Sequence, residues 1–585
     1  MAAATRNPID WSKIHPAELE QRFAPFASRR SQVMSTRGVC ASAQPLASAA
    51  GVEILNKGGN AADAAVAMAA ALNVTEPCST GIGGDAFCLY YDAKTKKVRA
   101  FNGSGRSPKG MTLEKLRKAG VEGPSIPFLS IHAVTVPGAP ACWVDTVEKL
   151  GSGKVTMAEI LAPGIRLAEG GYPVHEIVSH AWTRSANVIS EASDHGHHML
   201  LDGKGPQPGE VMEMPYLGKT FRELATKGKD GFYKGRIAEA IVELVQSKGG
   251  FLTLEDLAEH AEQGTEEVEP ISYTYNHGGD KEGVTLHECP PNGQGLTALI
   301  ALGIIDALQD SGAVPDLNTL EHNGAEYLHV IIEALRLAFA DTMYYVADPQ
   351  HGNVPVKELL SKEYLAKRAK LFDPKKSSKI EKGYPVNSSD TVYFSVTDED
   401  GNACSFINSN YAGFGTCAVP RDCGFTLQNR GAGFVLQEGH PNCVAPGKRP
   451  YHTIIPALVT KGDELVMSYG VMGGYMQPQG HVQVLLSILR GYSAQSALDA
   501  PRMCLGAGMP DEGAIDSSVF LEEGISPSVV ETLRSMGHTV DLVTGHARGQ
   551  FGRGQVIQRI QRKGGKSAWA AGSDPRADGA AIPQV

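Results

Sequence analysis

Apolar and polar positions repeat with different periods along this 585-residue chain. Near the N-terminus, Leu46 to Lys57 and the Ala-rich run after Asn60 are separated by Gly58-Gly59, which predicts two helices with Asn60 as the N-cap of the second. Glu326 to Phe339 repeats apolar residues every three to four positions, as a helix packed on one face requires, and Leu296 to Leu308 predicts another apolar helix. These helices are the predicted scaffold of the core.

Segments with a period of two predict strands in both halves of the chain. Phe87 to Tyr91 and Val98 to Phe101 lie on either side of a polar turn, which indicates a hairpin. From Thr391 the chain alternates between two faces, with apolar residues on one of them, up to the turn Asp400-Gly401. The second half therefore opens with a strand that begins at Thr391.

Another predicted hairpin leads through glycines into a helix. Ile454 to Val459 and Leu465 to Tyr469 are its strands, and His481 to Leu489 is the helix. The pair Gly473-Gly474 lies between the hairpin and the helix. This order brings bare backbone N–H groups to a helix N-terminus, where developing negative charge is stabilised.

Residues 373 to 390 form the clearest internal boundary, because the stretch DPKKSSKIEKGYPVNSSD is polar and predicts an exposed connection. It ends directly before Thr391, which is the layout of a precursor cut between Asp390 and Thr391. Cleavage would free a Thr α-amine, whose reference pKa of about 7.7 to 8.0 lets it act as the base for its own hydroxyl. Without this context, Thr391 is an ordinary β-branched residue opening a strand.

Composition excludes several classes of protein. The net charge is -10 and no long Lys/Arg block is present, so nucleic acid is not an expected partner. The start MAAATRNPIDW lacks a basic and apolar signal, and the run from Ala61 to Val74 is too short to span a bilayer. The ten cysteines include no Cys-x-x-Cys pair and suit reduced thiols. We expect a cytoplasmic protein without a membrane partner.

The segment DTVYFSVTDEDGNACSF at Thr391 resembles the start of the small subunit of the γ-glutamyltransferase family. Other blocks match that family in the same order, namely PLASAAGVEILNKGGNAADAAVA, TGIGGDAF, TVPGAPACW, GGFLTLEDL, PPNGQG, GKRPYHTIIP and SDPRADGAA. The resemblance implies an α+β fold, the four-layer αββα sandwich of N-terminal-nucleophile hydrolases. It also implies a large subunit of residues 1–390 and a small catalytic subunit of residues 391–585, both cut from one precursor.

The resemblance assigns four catalytic positions. Thr391 matches the nucleophile, and Ser409 stands where the family has a Thr whose hydroxyl supports the nucleophile. Gly473 and Gly474 match the glycine pair that forms the oxyanion hole. Taken alone, a Gly-Gly pair at this place favours an ordinary turn entering a helix.

Departures from the family pattern concern the donor's α-amino group. Tyr411, Arg430 and Gly433 stand where glutathione-processing members hold that amine, and none of the three is anionic. An Arg at this place suits a donor that ends in a carboxylate. The alternative for Arg430 is a surface residue paired with a nearby acid.

Further departures affect the rest of the substrate pocket. His452 and Thr453 replace two adjacent serines of the family's binding loop, and Arg106 is displaced by two positions from the family's carboxylate-binding Arg. The stretch between Phe434 and Lys448 is shorter than the lid-bearing loop of the glutathione-processing branch, which predicts a more open site. These features resemble the cephalosporin-acylase-like branch of the family.

Two other motifs invite a cofactor or metal interpretation. GIGGDA at Gly81 imitates a dinucleotide fingerprint, but a strand-like segment follows it where a helix is required. His195, His197 and His198 cluster without spaced metal-ligand partners, which favours a solvated loop. We therefore predict no cofactor and no metal.

Two hypotheses from different functional classes follow. The first is an autoprocessing amidohydrolase or acyltransferase, similar to glutathione hydrolases, that cleaves γ-glutamyl or related acyl amides through an acyl-enzyme on Thr391. Within it, the alternative is a glutaryl or cephalosporin-type acylase with weak γ-glutamyl transfer. The second is a non-cleaving relative that acts as a binding protein, an idea motivated by the missing amine ligands.

Overall fold

The computed structural model describes residues 30–277, 282–378, 389–506, 518–561 and 565–585. Its centre consists of two large antiparallel sheets of seven strands each. In spatial order the first sheet contains β1 (Val33–Ser35), β18 (Ala568–Ser573), β17 (Arg553–Ile560), β13 (Glu464–Met472), β12 (Ala457–Lys461), β9 (Val284–Glu288) and β8 (Ile271–Tyr275). The second contains β19 (Ala580–Pro583), β2 (Val39–Ser42), β10 (Ser389–Thr397), β11 (Ala403–Ala412), β3 (Asp85–Asp92), β4 (Lys97–Gly103) and β7 (Glu266–Val268).

Two smaller sheets lie outside this centre. One joins β14 (Met503–Leu505), β15 (Val519–Glu522) and β16 (Val540–Val543), and the other joins β5 (Tyr172–Pro173) and β6 (Val211–Met212).

Helices cover the outer faces of the two large sheets. Those between β2 and β7 in the chain are α1 (Pro45–Asn56), α2 (Ala61–Thr75), α3 (Leu113–Lys118), α4 (Ala139–Leu150), α5 (Met157–Gly170), α6 (Glu176–Ala192), α7 (Pro215–Lys227), α8 (Asp230–Tyr233), α9 (Arg236–Ser247) and α10 (Leu254–Gln263). The later ones are α11 (Gly295–Asp310), α12 (Ala325–Tyr345), α13 (Val356–Leu359), α14 (Lys362–Ala369), α15 (Met476–Leu489), α16 (Ala494–Asp499) and α17 (Pro527–Ser535).

Buried apolar clusters define the order of the layers. Phe87, Tyr393 and Leu458 belong to the cluster that fills the space between the two sheets. On the outer side of the second sheet, Val392 packs in a cluster with the Ala-rich α2, whereas α11, α12 and α15 share a cluster with the outer face of the first sheet. The order is helices, sheet, sheet, helices, which confirms the predicted αββα sandwich of the α+β class.

Local sequence signals account for several element boundaries. The Asn60 side chain accepts hydrogen bonds from the N–H groups of Ala62 and Asp63 and caps α2, as predicted. β12 begins at Ala457 rather than Ile454, because Pro456 has no N–H to donate to the sheet. α15 begins at Met476, five residues earlier than predicted, since Pro478 lies in the first turn, where no N–H is needed.

The predicted subunits would be interleaved in both large sheets. In the second sheet, β2, β3, β4 and β7 precede Thr391 in the chain, whereas β11 and β19 follow it. A cut before Thr391 would therefore leave two fragments held together by sheet hydrogen bonds and a shared core. Of the predicted exposed connection, residues 379–388 lie outside the described residues, so the boundary between residues 1–390 and 391–585 stays a prediction.

Candidate active site

Thr391 lies at an irregularity in the pairing of β10 with β11. Asp390 pairs with Tyr411 and Val392 pairs with Asn408, so two residues of β11, Ser409 and Asn410, stand opposite the single Thr391. Such a bulge locally bends the ladder and re-aims side chains. Thr391 is fully buried, and its Oγ1 lies 2.9 Å from Ser409 Oγ. Either hydroxyl can donate this hydrogen bond.

Ser409 is held by three neighbours. Its Oγ accepts a hydrogen bond from the N–H of Tyr411 at 2.9 Å and another from Nη2 of Arg430 at 3.3 Å, besides its contact with Thr391. Tyr411 has a positive φ of 82°, and it directly follows the pairing irregularity in β11. The structure thus brings the predicted nucleophile, its supporting hydroxyl and two predicted substrate residues together.

Arg430 is a buried cation beside the nucleophile. Its Nη1 donates to Thr453 Oγ1 at 2.8 Å, and its guanidinium carbon lies 4.0 Å from the centroid of the Tyr411 ring. Burial lowers the pKa of Arg430 to about 10, so the group stays protonated at neutral pH. Its Nε has no hydrogen-bond partner, and no carboxylate of the described chain forms an ion pair with it. The surface alternative for Arg430 is therefore wrong.

An Asp–His pair supports this cluster from behind. Asp85 opens β3, and its Oδ2 accepts a hydrogen bond from Nε2 of the fully buried His452 at 2.9 Å. The other oxygen, Oδ1, accepts from the N–H groups of Gly105 and Gly138 and from Nε2 of Gln428, at 2.9 to 3.0 Å. Asp85 therefore already accepts four hydrogen bonds inside the protein, three of them on Oδ1.

The charges of this pair follow from burial and from Arg430. Burial and the nearby Arg430 charge lower the pKa of His452 to about 4, although its hydrogen bond to Asp85 opposes the shift. Burial opposes the ionisation of Asp85, but the His452 hydrogen bond and the Arg430 charge outweigh it and lower the pKa of Asp85. At neutral pH the cluster therefore contains one carboxylate, one neutral imidazole and one guanidinium.

Packing between the two large sheets locates the glycine pair. Ser395 of β10 lies 2.6 Å from Ser468 of β13 through their hydroxyls, and Tyr393 packs against Gly470. Met472, the last residue of β13, belongs to the same buried cluster between the sheets as Tyr393, two residues after Thr391.

Gly473 and Gly474 follow Met472 at the entrance to α15. Both have positive φ, 129° and 59°, a region that L-residues with a Cβ rarely adopt. Within the described part of the chain, neither backbone N–H has a hydrogen-bond partner. Two bare N–H groups at this place can serve a developing oxyanion.

Two residues of this network carried no role in the sequence analysis. Gln294 donates its Nε2 hydrogens to the carbonyl oxygens of Thr453 and Gly474, at 2.6 and 2.8 Å, and so ties the loop that contacts Arg430 to the glycine pair. Asp85 is the other. The signals for both were present as an acid opening an apolar strand and a Gln within PPNGQG, but neither pattern indicates a partner.

Arg106 lies apart from the cluster around Thr391. Its side chain is half-buried and lines a separate depression with a volume of about 490 Å³, together with Asp256, Glu259 and Arg449. Nη2 donates to Gln350 at 3.4 Å. The described contacts of Arg106 therefore connect it to this depression rather than to the nucleophile.

Two groups of side chains have the spacing of metal ligands. His195 and His198 meet Asp422, a carboxylate distant in sequence, and His329 and Glu333 meet His538, with the ligand atoms of each group within 4.8 Å of one another. The second group is fully hydrogen-bonded, because His538 contacts His329 at 2.8 Å and Arg336 at 3.1 Å. GIGGDA forms a turn that enters β3, as predicted.

Comparisons with known proteins agree with this geometry. Residues 47–584 match the family model described as Gamma-glutamyltranspeptidase. The chain is 34% identical over 556 residues to the Glutathione hydrolase-like YwrD proenzyme of Bacillus subtilis, and 33% identical over 558 residues to the Oxamate amidohydrolase proenzyme of Klebsiella pneumoniae. Both alignments cover 94% of this chain and 99% of the relative. A crystal structure of cephalosporin acylase from Bacillus halodurans superposes with a TM-score of 0.84 at 38% identity, covering 96% of this chain and 98% of that chain.

Proposed function

Because this chain belongs to the gamma-glutamyltranspeptidase family and is an N-terminal-nucleophile amidohydrolase, we propose that Thr391 is its nucleophile, with Ser409 as the supporting hydroxyl. The Thr391 hydroxyl adds to the amide carbonyl and gives its proton to the α-amine of Thr391. The N–H groups of Gly473 and Gly474 stabilise the oxyanion. The C–N bond then breaks as the amine leaves with that proton, and water hydrolyses the remaining ester.

The same hydroxyl makes the mature enzyme from its precursor in this proposal. Thr391 Oγ1 attacks the carbonyl carbon of Asp390 and gives its proton to the amide nitrogen. The peptide C–N bond then breaks, which releases the Thr391 α-amine and leaves an ester between Asp390 and the Thr391 oxygen. Water then cleaves the ester and leaves the Asp390 carboxylate as the end of the large subunit. The position of Thr391 in a pairing irregularity, against Ser409, supports this step. Relatives named as proenzymes align with 94% of the chain.

We propose an acyl group that ends in a carboxylate and lacks an α-ammonium. The observation that carries this choice is the buried Arg430 guanidinium, which stands one hydroxyl away from Thr391 without a carboxylate partner in the described chain. A buried, unpaired charge is costly, and a substrate carboxylate relieves that cost. An ammonium would be repelled by Arg430, and the nearby carboxylate, Asp85, already accepts four hydrogen bonds from the protein.

Matched 4-nitroanilides test the proposal. Glutaryl-4-nitroanilide and γ-glutamyl-4-nitroanilide differ only by the α-ammonium, and butyryl-4-nitroanilide lacks the carboxylate as well. We expect kcat/KM to be highest for the glutaryl compound and about ten- to a hundredfold lower for the butyryl compound. A kcat/KM for the γ-glutamyl compound more than tenfold above the glutaryl value would overturn the substrate class and indicate ordinary glutathione processing.

A shorter acyl group is the second candidate. Hydrogen bonds of 2.9 and 3.3 Å connect Thr391 to Ser409 and Ser409 to Arg430, so the guanidinium is close to the reacting carbonyl. Oxamate, named for the Klebsiella pneumoniae relative, carries its carboxylate directly on the amide carbonyl. Ammonia release from oxamate, measured beside the glutaryl amide, distinguishes the two acyl lengths.

A cytoplasmic location remains our proposal. All ten cysteines lie in the described residues without a disulfide, and eight of them are buried. Unpaired cysteines in this number are typical of a reducing compartment. None of the described helices is long and apolar enough to cross a bilayer.

A further inference from the structure

A basic cleft opens beside the glycine pair. It has a volume of about 890 Å³, and Gly473, Ala412 and Gly413 are among the residues that line it. Ala412 and Gly413 directly follow Tyr411, whose ring stacks on Arg430. The cleft therefore adjoins both the proposed oxyanion hole and the pocket proposed for the acyl group.

The ionisable side chains that line the cleft are all basic apart from one cysteine. They come from α6, from the short helix Gly545–Phe551 and from the residues that follow it, namely His180, Arg184, His546, Arg548, Arg553 and Arg576. Neither Asp nor Glu is among the described residues that line the cleft, although the chain has 64 acidic residues and a net charge of -10. Walls of one sign raise the local concentration of ligands of the opposite sign.

Some of these charges are already compensated. Arg553 pairs with Glu76 at 2.7 Å, Arg548 pairs with Glu522 at 2.7 Å, and Arg576 pairs with both Glu522 and Asp574. These acids lie behind the wall and fix the arginines in place. Each of these three arginines therefore already has a carboxylate partner.

Arg184 differs from the other arginines of the cleft. It is exposed, and it forms no hydrogen bond or ion pair with the residues that the structure describes. Next to it, the rings of His180 and His546 stack at 4.4 Å with an angle of 11° between them. Burial, and then the charges of His546 and Arg184, lower the pKa of His180. Arg184 is therefore the exposed guanidinium of this cleft that has no carboxylate partner among the described residues.

The two halves of an amide substrate have different surroundings in this arrangement. If the acyl carboxylate contacts the buried Arg430, the amine half of the substrate extends in the opposite direction from the carbonyl. The basic cleft, which reaches Gly473 of the proposed oxyanion hole, is the space next to the carbonyl on that side. We propose that this basic cleft binds a carboxylate carried by the amine half of the amide, and by the amine product, with Arg184 as the group that pairs with it. This inference rests on the proposed function, and it names the second half of the substrate.

Two glutaryl amides test the inference. Glutaryl anilide has a neutral leaving amine, and glutaryl-4-aminobenzoate has an anionic one of similar shape. We expect kcat/KM for the anionic amide to exceed that for the neutral amide by about tenfold at low ionic strength. Arg184→Gln should lower the anionic-to-neutral ratio by about 5- to 30-fold, and Arg184→Lys should restore part of it.

The control is Arg166→Gln, which removes the same charge from an exposed Arg of α5 that pairs with Glu53. It should leave both rates unchanged. An equal kcat/KM for the two amides in the wild type would overturn the inference, as would an Arg184→Gln variant that lowers both rates equally.

Failure of the proposed function gives a different result. In that case neither glutaryl amide is hydrolysed, and titration calorimetry with 4-aminobenzoate and aniline tests the cleft directly. Binding of 4-aminobenzoate that weakens at least fivefold in Arg184→Gln supports the cleft as an anion site. Equal binding of both amines, or none, overturns it.

Discussion

Two of the regions that bury arginines in the described chain hold the charge in opposite ways. Arg576 and Arg502 meet Asp574 and Glu522, and they also donate to several backbone carbonyls. Burial would lower the pKa of Arg576, but the carboxylates raise it instead. For Arg430, burial prevails and the pKa falls to about 10.

The two regions differ in the partners of their arginines rather than in how deeply the arginines are buried. In the first region, carboxylates form direct ion pairs with both arginines, although burial and the Arg576 charge still lower the pKa of Arg502. These pairs connect the segment after β13 with the C-terminal strands. In the second region, Arg430 contacts two hydroxyls and an aromatic ring and keeps a spare Nε hydrogen. The first arrangement suits stability, and the second suits an anionic ligand.

The largest effect is expected for Thr391→Ala, which should separate chemistry from stability. Without the hydroxyl, neither the bond before Thr391 nor an amide substrate is attacked, so activity should fall by at least about 10⁴-fold while the fold persists. Mass spectrometry of the fragments and the glutaryl amide assay measure both effects. In the wild-type protein, the small fragment should begin at Thr391.

Thr397→Val is the matched control, since Thr397 is another fully buried threonine of β10 whose hydroxyl has no hydrogen-bond partner. We expect this variant to cleave itself and to turn over substrate normally. Activity in an uncut chain, or a small fragment with a different first residue, would contradict the assignment of Thr391.

The next largest effect belongs to the compensated region. Asp574→Asn removes the charge that meets Arg502 and Arg576 and should lower the free energy of unfolding by about 3 to 5 kcal/mol, because two buried cations lose a partner. Urea denaturation measures the loss. Asp541→Asn, in an exposed position of β16, makes the same chemical change and should have little effect. Equal stabilities of the two variants would contradict a stabilising role for the ion pairs of Asp574 with Arg502 and Arg576.

Arg430→Met should show the reverse pattern. It removes a buried cation that lacks a carboxylate partner, so the free energy of unfolding should change by less than about 1 kcal/mol. Turnover of glutaryl-4-nitroanilide should fall about ten- to a hundredfold, whereas butyryl-4-nitroanilide, which has no carboxylate, should be much less affected. A loss of stability as large as that of Asp574→Asn would make Arg430 a structural residue and break the comparison.

The sequence predicted the parts of the molecule whose signals are local. The capping of α2 by Asn60 and the αββα layers follow from short patterns and from the family resemblance, and both are confirmed. The resemblance also named Thr391 and Ser409, which the structure brings within 2.9 Å. Where Pro456 and Pro478 interrupt the patterns, the predicted element boundaries moved by three and five residues.

Long-range pairing was not visible in the sequence. Asp85 meets His452 across 367 positions, and Gln294 reaches the carbonyl of Gly474 across 180, so no pattern of spacing could join them. Arg106 shows the converse, because a candidate that the resemblance suggested lines a separate depression, whose shape the sequence does not reveal. The burial of Arg430 likewise depends on tertiary contacts, since its guanidinium donates hydrogen bonds to Ser409 and Thr453.

The smallest expected effect on turnover concerns the neutral His452 behind Arg430. The unfolded chain takes up a proton on this residue below about pH 6.5, whereas in the folded chain burial and Arg430 hold its pKa at about 4. The unfolded state therefore binds more protons between these limits, and the free energy of unfolding falls as the pH falls, by up to about 1.4 kcal/mol per pH unit. Asp85 adds a loss in the same direction only below about pH 4, where the unfolded carboxyl titrates.

His452→Gln keeps an N–H donor for Asp85 but does not titrate, so its stability should depend less steeply on pH between 6.5 and 4. His287→Gln is the matched control, since burial also lowers the pKa of His287 to about 4 and its partner is Thr460 in the first large sheet. Both variants should flatten the pH dependence of unfolding by a similar amount. Only His452→Gln should also lower glutaryl amide turnover, by about two- to fivefold. The reason is that His452, unlike His287, is hydrogen-bonded to Asp85 and belongs to the loop beside Arg430. Equal turnover in the two variants would reduce His452 to another buried histidine and leave Arg430 positioned by its hydroxyl partners alone.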